Sequence, residues 1–206
     1  MKEIPLHGLT QLMPLCENWY FASDYDCGEL YEAADCVRSG HDFRGVYLAL
    51  VRADGTVFEP IPRQRNRYIQ PPVVWNGRFY LLTADFSGQT LEIRSFDPGT
   101  AETVLDFSFP LSDFSDLHNL RLGAAPLMLT RSAKRTFEVL WPEKRTFSVS
   151  DQEAFLFRDG DRYYFSEWFE DPDYREETVM RDTDGTEARM RGTVLRMENG
   201  VLWHLF

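Results

Sequence analysis

The sequence predicts an all-β fold assembled from repeating antiparallel hairpins, and three observations carry that expectation. Runs of apolar and aromatic residues are cut by tight-turn signals at Glu17-Asn18, Asn76-Gly77, Gly123-Ala124-Ala125, Asp159-Gly160 and Asn199-Gly200, each between two strand-like stretches. Asn-Gly and Asp-Gly accept the positive φ that two-residue hairpin turns require. A second series of turns, at Asp54-Gly55, Asp97-Pro98-Gly99, Pro142-Glu143 and Asp184-Gly185, begins at positions 54, 97, 142 and 184, an interval of 42 to 45 residues. Hydrophobic residues make up 43% of the 206 positions and aromatic residues 15%, enough to fill a core with no low-complexity tract to interrupt it.

With the turns as punctuation, the first unit reads as strands at 12–16, 19–23, 45–51 and 56–61. The second reads as 69–75, 78–84, 90–96 and 101–109. The third follows at 118–122, 126–130, 136–141 and 145–150, and the fourth at 154–157, 162–169, 177–181 and 186–191. A fifth hairpin, 193–206, has no chain after it to supply two further strands. Second strands are apolar on both faces, as in Phe79-Tyr80-Leu81-Leu82, Leu127-Met128-Leu129 and Tyr163-Tyr164-Phe165, so they are expected inside. Fourth strands alternate: Leu105, Phe107 and Phe109 interleave with Asp106 and Ser108, and Phe147 and Val149 with Thr146 and Ser148, which predicts one face toward water. One segment breaks the cadence. Asp26 with Glu29 reads as a capping box, Leu30, Ala33, Ala34 and Val37 recur at helical spacing, and Gly40 reads as a stop, so one short helix is predicted between the second and third strands of the first unit.

Four-stranded units repeating at this interval resemble β-propeller blades, and the resemblance, which identifies no particular family, covers nearly the whole chain. It implies a single domain over 1–206: a five-bladed β-propeller whose last blade is closed by an N-terminal strand from 2–10 against 201–206. Closure would remove a free sheet edge. In propellers, the loops joining second to third strands and those joining successive blades share the usual ligand face. That plan gathers 24–43, 86–89, 133–135, 170–176, 62–68 and 110–117 on one rim, an inference from fold alone.

Charge excludes some partners. The net charge of -11 makes nucleic acid and anionic membrane surfaces unfavourable. No apolar run approaches the length of a membrane span. The three cysteines, Cys16, Cys27 and Cys36, are too few for a disulfide scaffold and fit a reducing, cytoplasmic setting, with Cys16 expected buried and a Cys27–Cys36 bridge left open. Cys27, Cys36 and His41 match no common zinc spacing, no phosphate-cradling glycine loop occurs, and neither metal nor cofactor is expected.

The candidate residues follow from the rim. Asp24, Asp85 and Glu167 end second strands, and paired carboxylates are what glycoside hydrolysis needs; the competing reading has them capping turns or pairing with arginine. Arg63, Arg65 and Arg67, spaced by two, could fork onto an anionic ligand or neutralise the acidic insertion of the same molecule. Trp168 and Tyr174 stand nearest the rim among the aromatics as stacking or anchoring groups. The reading preferred is a non-enzymatic binding module that takes a protein, peptide or small ligand on one face. A carbohydrate-active enzyme using the three carboxylates and a purely structural interaction subunit are the alternatives.

Overall fold

The runs of β-branched and aromatic residues become strands because the residues that break them take up positive φ: Asn18, Asn76, Gly77, Gly160 and Gly200 lie between 47° and 81°. The computed structural model describes residues 2–24, 28–124, 126–197 and 200–206. Among these residues it shows an all-β fold with one α-helix and five antiparallel sheets of four, five, four, four and two strands, none of them closed on itself. The chain forms two compact units, Met1–Ala124 and Ala125–Phe206.

The first sheet of the first unit has the order β1 (Met13–Cys16), β2 (Trp19–Ser23), β3 (Leu48–Arg52) and β4 (Val57–Phe58). The register of β2 on β3 runs from Trp19 opposite Arg52 to Ser23 opposite Leu48. Ala22, Tyr47, Ala49 and Val51 pack with Leu6 into a buried cluster, flanked by Ile4 and Leu9. This corrects one expectation. Residues 2–12 form no strand and lay Leu6 onto the first sheet, so the N-terminal strand expected to close the last blade is not formed. Ile4, Leu6 and Leu9 find apolar cover there, which a strand edge would not give them.

The second sheet has the path β5 (Arg67–Ile69), β7 (Arg78–Asp85), β8 (Thr90–Phe96) and β9 (Thr103–Pro110), while β6 (Val73–Trp75) also pairs with β7. The run 69–75 therefore splits in two. Pro71 and Pro72 have no N–H to give the ladder, so β5 covers one end of β7 and β6 the other. Trp19 joins the first two sheets, its ring 5.1 Å from Phe79 and 5.9 Å from Phe96. The edge strand β9 departs from the pattern: Leu105 and Phe107 are exposed, and Phe109 finds an edge-on partner in Phe114 at 6.0 Å. Cys16 is exposed as well, because β1 is an edge strand and not an inner one.

The first unit ends in β10 (Leu120–Ala124), and the second opens with β11 (Leu127–Ala133), β12 (Thr136–Trp141) and β13 (Arg145–Ser148). Within the second unit, β12 pairs with β13 from Thr136 opposite Ser148 to Val139 opposite Arg145. The fourth sheet has the order β14 (Glu153–Asp159), β15 (Arg162–Phe169), β16 (Arg175–Asp182) and β17 (Glu187–Arg191). Met128, Phe137, Val139 and Phe147 meet Tyr163, Phe165 and Val179 in one buried cluster, and Phe137 stacks on Phe155 at 4.4 Å. The last hairpin, β18 (Thr193–Arg196) with β19 (Leu202–Leu205), stays two-stranded. It is held to the fourth sheet by Val194 and Leu202 against Phe157, Tyr164 and Met180. Its register puts Leu195 opposite Trp203 and Thr193 opposite Leu205, an outward face that leaves Leu195, Trp203 and Leu205 exposed.

The helix α1 (Leu30–Arg38) starts later than the sequence pattern suggests. Its capping box is Glu29 with Glu32, whose Oε2 accepts the Glu29 N–H at 2.6 Å. Asp26, the expected cap, lies outside the described residues. Gly40 ends the helical segment at φ +75°, its N–H bonded to Val37 O at 3.0 Å.

Leu6→Ala is expected to cost about 2 kcal/mol, the low end for a buried leucine because the site lies near the surface. The loss should appear as faster amide exchange in β2 and β3 with β18 and β19 unchanged. The reverse pattern would restore N-terminal pairing with the last sheet.

Candidate functional site

Loops of the first unit converge because the chain between strands must satisfy its own polar groups. The arginine loop at 62–68 is the clearest case. Gly45, at φ +85°, comes so close to it that a Cβ there would stand 1.8 Å from the carbonyl oxygen of Gln64. That approach lets Val46 N–H bond to Arg67 O at 2.9 Å and Arg63 Nε–H to Gly45 O at 2.9 Å. Asn66, at φ +60°, receives at its carbonyl the N–H of Phe86 at 3.0 Å, tying the loop to the β7–β8 turn.

Each arginine of this loop meets a carboxylate. Arg63 Nη2 lies 2.7 Å from Asp24 Oδ2, Arg65 Nη2 lies 2.9 Å from Asp42 Oδ1, and Arg67 Nη2 lies 3.1 Å from Asp85 Oδ2. Asp24 and Asp85 are mostly covered in these pairs, whereas Arg65 keeps 72% of its side chain in solvent. The other oxygen of Asp24 accepts the Tyr47 N–H at 2.9 Å, and that of Asp85 accepts Ser87 N–H at 3.0 Å and Gly88 N–H at 2.8 Å. Burial alone would push the Asp85 carboxyl up. The Gly88 N–H and the Arg67 guanidinium outweigh it and hold the group below the usual carboxylate range.

A cavity of about 540 Å³ opens beside this junction, walled by α1, by Phe86 and Gln89 of the β7–β8 turn, and by the segment from Leu111 to His118. Ala34, Val37, Leu111 and Phe114 give it an apolar floor. At its rim Tyr31 and His118 stack with centroids 4.1 Å apart and planes 20° from parallel. His118 Nδ1–H donates to Asp116 Oδ1 at 2.7 Å, and the same oxygen accepts the His118 N–H at 2.9 Å. A second cavity, about 450 Å³, lies at the start of α1 against Tyr68, Gln70, Pro71 and Arg121, and Leu117 lines both. Gln70 builds its far wall: its amide donates to Leu122 O and accepts from Leu122 N–H, both at 3.0 Å.

In the second unit, Glu167 is buried in a charged cluster. Strand register sets Glu153 opposite Glu167 and Glu167 opposite Glu177, three carboxylates in a row across β14, β15 and β16. Like charges so placed repel unless neutralised. Arg181 Nη2 bonds to Glu153 Oε1 at 2.8 Å, Arg189 Nη1 bonds to Glu167 Oε2, and Ser150 Oγ–H donates to Glu167 Oε1 at 2.7 Å. Arg189 also bonds to Glu187 at 2.8 Å, and that bond, with those to Glu167, raises the guanidinium's pKa still further. Trp168 and Tyr174 are exposed, at 42% and 68%, and the Tyr174 hydroxyl donates to Glu176 at 2.5 Å.

The sequence expectation gathers 24–43, 62–68, 86–89, 110–117, 133–135 and 170–176 on one rim; of these, residues within 24–43, 86–89 and 110–117 line the larger cavity, and Arg63, Arg65 and Arg67 of 62–68 pair with Asp24, Asp42 and Asp85. It missed Tyr31 and His118, and it missed Glu153, Glu177, Arg181 and Arg189. The carboxylate row follows only from a register shifted by the irregularity between Phe155 and Phe157. Among the described residues no three His, Cys, Asp or Glu side chains converge as a metal site, and no helix is long and apolar enough to cross a membrane. Cys27 lies outside the described residues. No protein-family model and no curated protein sequence matches the chain.

Arg67→Ala is expected to cost about 2 kcal/mol, the scale of a lost charged hydrogen bond with its partner left covered. Asp85→Asn tests the pair by pH. Because the folded Asp85 pKa is depressed, its contribution is present above the unfolded value of about 3.9 and is lost as pH falls through the folded one. Denaturant titrations should therefore show the wild type more stable than Asp85→Asn near neutrality, with the two converging below about pH 4. A gap that persists at low pH would remove the electrostatic explanation.

Proposed function

We propose that the protein is a non-catalytic binding module whose five sheets are arranged as the blades of a five-bladed β-propeller, with its ligand face at the cavity beside α1. The observation that supports this reading best is the cavity itself. Its volume lies within the range of small-ligand and side-chain sites, and it combines an apolar floor with a few polar groups at the rim. Arg65, with most of its side chain in solvent, extends the same face, and Trp168 and Tyr174 are proposed as a further contact surface. The protein is proposed to act in the cytoplasm on a protein, peptide or small ligand.

Hydrolysis of glycosides by Asp24, Asp85 and Glu167 has less support. An acid and a nucleophile need oxygens free to meet substrate. Both oxygens of each of these carboxylates already accept bonds from arginine, serine or backbone N–H.

Two measurements test the reading. Immobilised wild type should enrich a defined set of proteins from source cells, and Ser115→Trp, which fills the cavity from its exposed rim, should lose that set at an unchanged melting temperature. Capture unaffected by the plug would move the ligand face elsewhere. Turnover of nitrophenyl glycosides by the wild type, abolished in Glu167→Gln, would replace the binding module with an enzyme.

A further inference from the structure

We infer that the cavity beside α1 takes a basic side chain, an arginine or lysine of a peptide segment that also presents an apolar residue. The inference rests on the reading of this cavity as the ligand face and names the chemistry of its ligand.

Charge comes first. The two segments that wall the cavity, 31–38 and 111–118, carry Glu32, Asp35, Asp113 and Asp116 against Arg38 alone, and Glu29 stands just before the first of them. Arg38 does not offset the rest, because its guanidinium is spent on Asp35 at 2.5 Å. The same field is felt at Tyr31, whose hydroxyl pKa is raised, chiefly by the Glu32 carboxylate, with burial and Glu29 adding to it. A field that disfavours a tyrosinate favours a cation in its place. With a net charge of -11 the whole chain attracts basic partners over longer range and repels its own copies.

Shape and chemistry point the same way. His118 covers one face of the Tyr31 ring, and the outer face of that stack is the platform we assign to a planar guanidinium. Asp116, which orients His118 through its ring N–H, stands beside that platform as a hydrogen-bond acceptor. Below it, Val37, Leu111 and Phe114 can cover the aliphatic stem of the basic residue and the side chain of an apolar neighbour. About 540 Å³ accommodates two such side chains but not a folded element.

The test uses two fluorescein-labelled hexapeptides, one of alternating arginine and leucine, the other of alternating glutamate and leucine, titrated with the intact protein by anisotropy. The arginine peptide is expected to bind and the glutamate peptide not to. Tyr31→Ala should weaken binding about threefold to tenfold, the span of a cation–π contact, while Tyr31→Phe keeps it. Asp116→Asn should weaken it in the same direction, and raising NaCl from roughly 0.05 to 0.5 M should do so progressively. Equal binding of both peptides, no binding of the arginine peptide, or wild-type affinity in a folded Tyr31→Ala would overturn the inference. Ser115→Trp separates the two levels. If the plug abolishes binding that is indifferent to peptide charge, the basic ligand falls and the cavity stands; if the arginine peptide binds the plugged protein undiminished, the cavity itself is not the ligand face.

Discussion

Neutralisation of strand-end carboxylates by arginine is the constraint on which the rest of the structure depends. A chain with 33 acidic and 22 basic residues cannot leave carboxylates half-covered between loops without local partners. Asp24, Asp85 and Glu167 each receive a guanidinium, and the three pairs differ in what they join. Arg63 and Arg67 draw one loop against the insertion and the β7–β8 turn, while Arg189 stitches together neighbouring strands of a single sheet. Pairs of this kind add less to net stability than their Coulomb energy suggests, because desolvation offsets much of it. What they fix is position: Arg63 and Arg67 hold the arginine loop on Asp24 and Asp85.

The strand plan was legible because period-2 patterning and turn chemistry act locally. Trp19–Ser23, Thr136–Trp141 and Arg162–Phe169 coincide with the predicted strands, and Asn76-Gly77 turns as a type I′ pair requires, with both φ positive. What was not legible depended on distance. The fate of residues 2–12 turned on whether Leu6 found better cover on the first sheet than on a strand edge, a comparison of tertiary environments that no local signal encodes. Pro71 and Pro72 stand inside the predicted strand 69–75, and two missing N–H groups in succession divide it.

The site shows the same division. The acidic insertion and the arginine loop announced themselves as charge runs, and the geometry brings them together. Tyr31 and His118 sit 87 positions apart and carry no shared signature, so their stack could emerge only from the fold. Glu153, Glu167 and Glu177 likewise face one another through strand register, which one extra residue in a bulge is enough to shift.

Gly45 gives this arrangement a single point of failure that is also a single point of control. The backbone of the arginine loop rests where a side chain would otherwise be, so no other residue fits without parting Arg63 from Asp24 and Arg67 from Val46. Loop sequences around it can drift, since their length and charge are adjustable, but the void at this one position cannot be traded. A lineage that kept the sheets and lost this glycine would keep its framework and forfeit the surface.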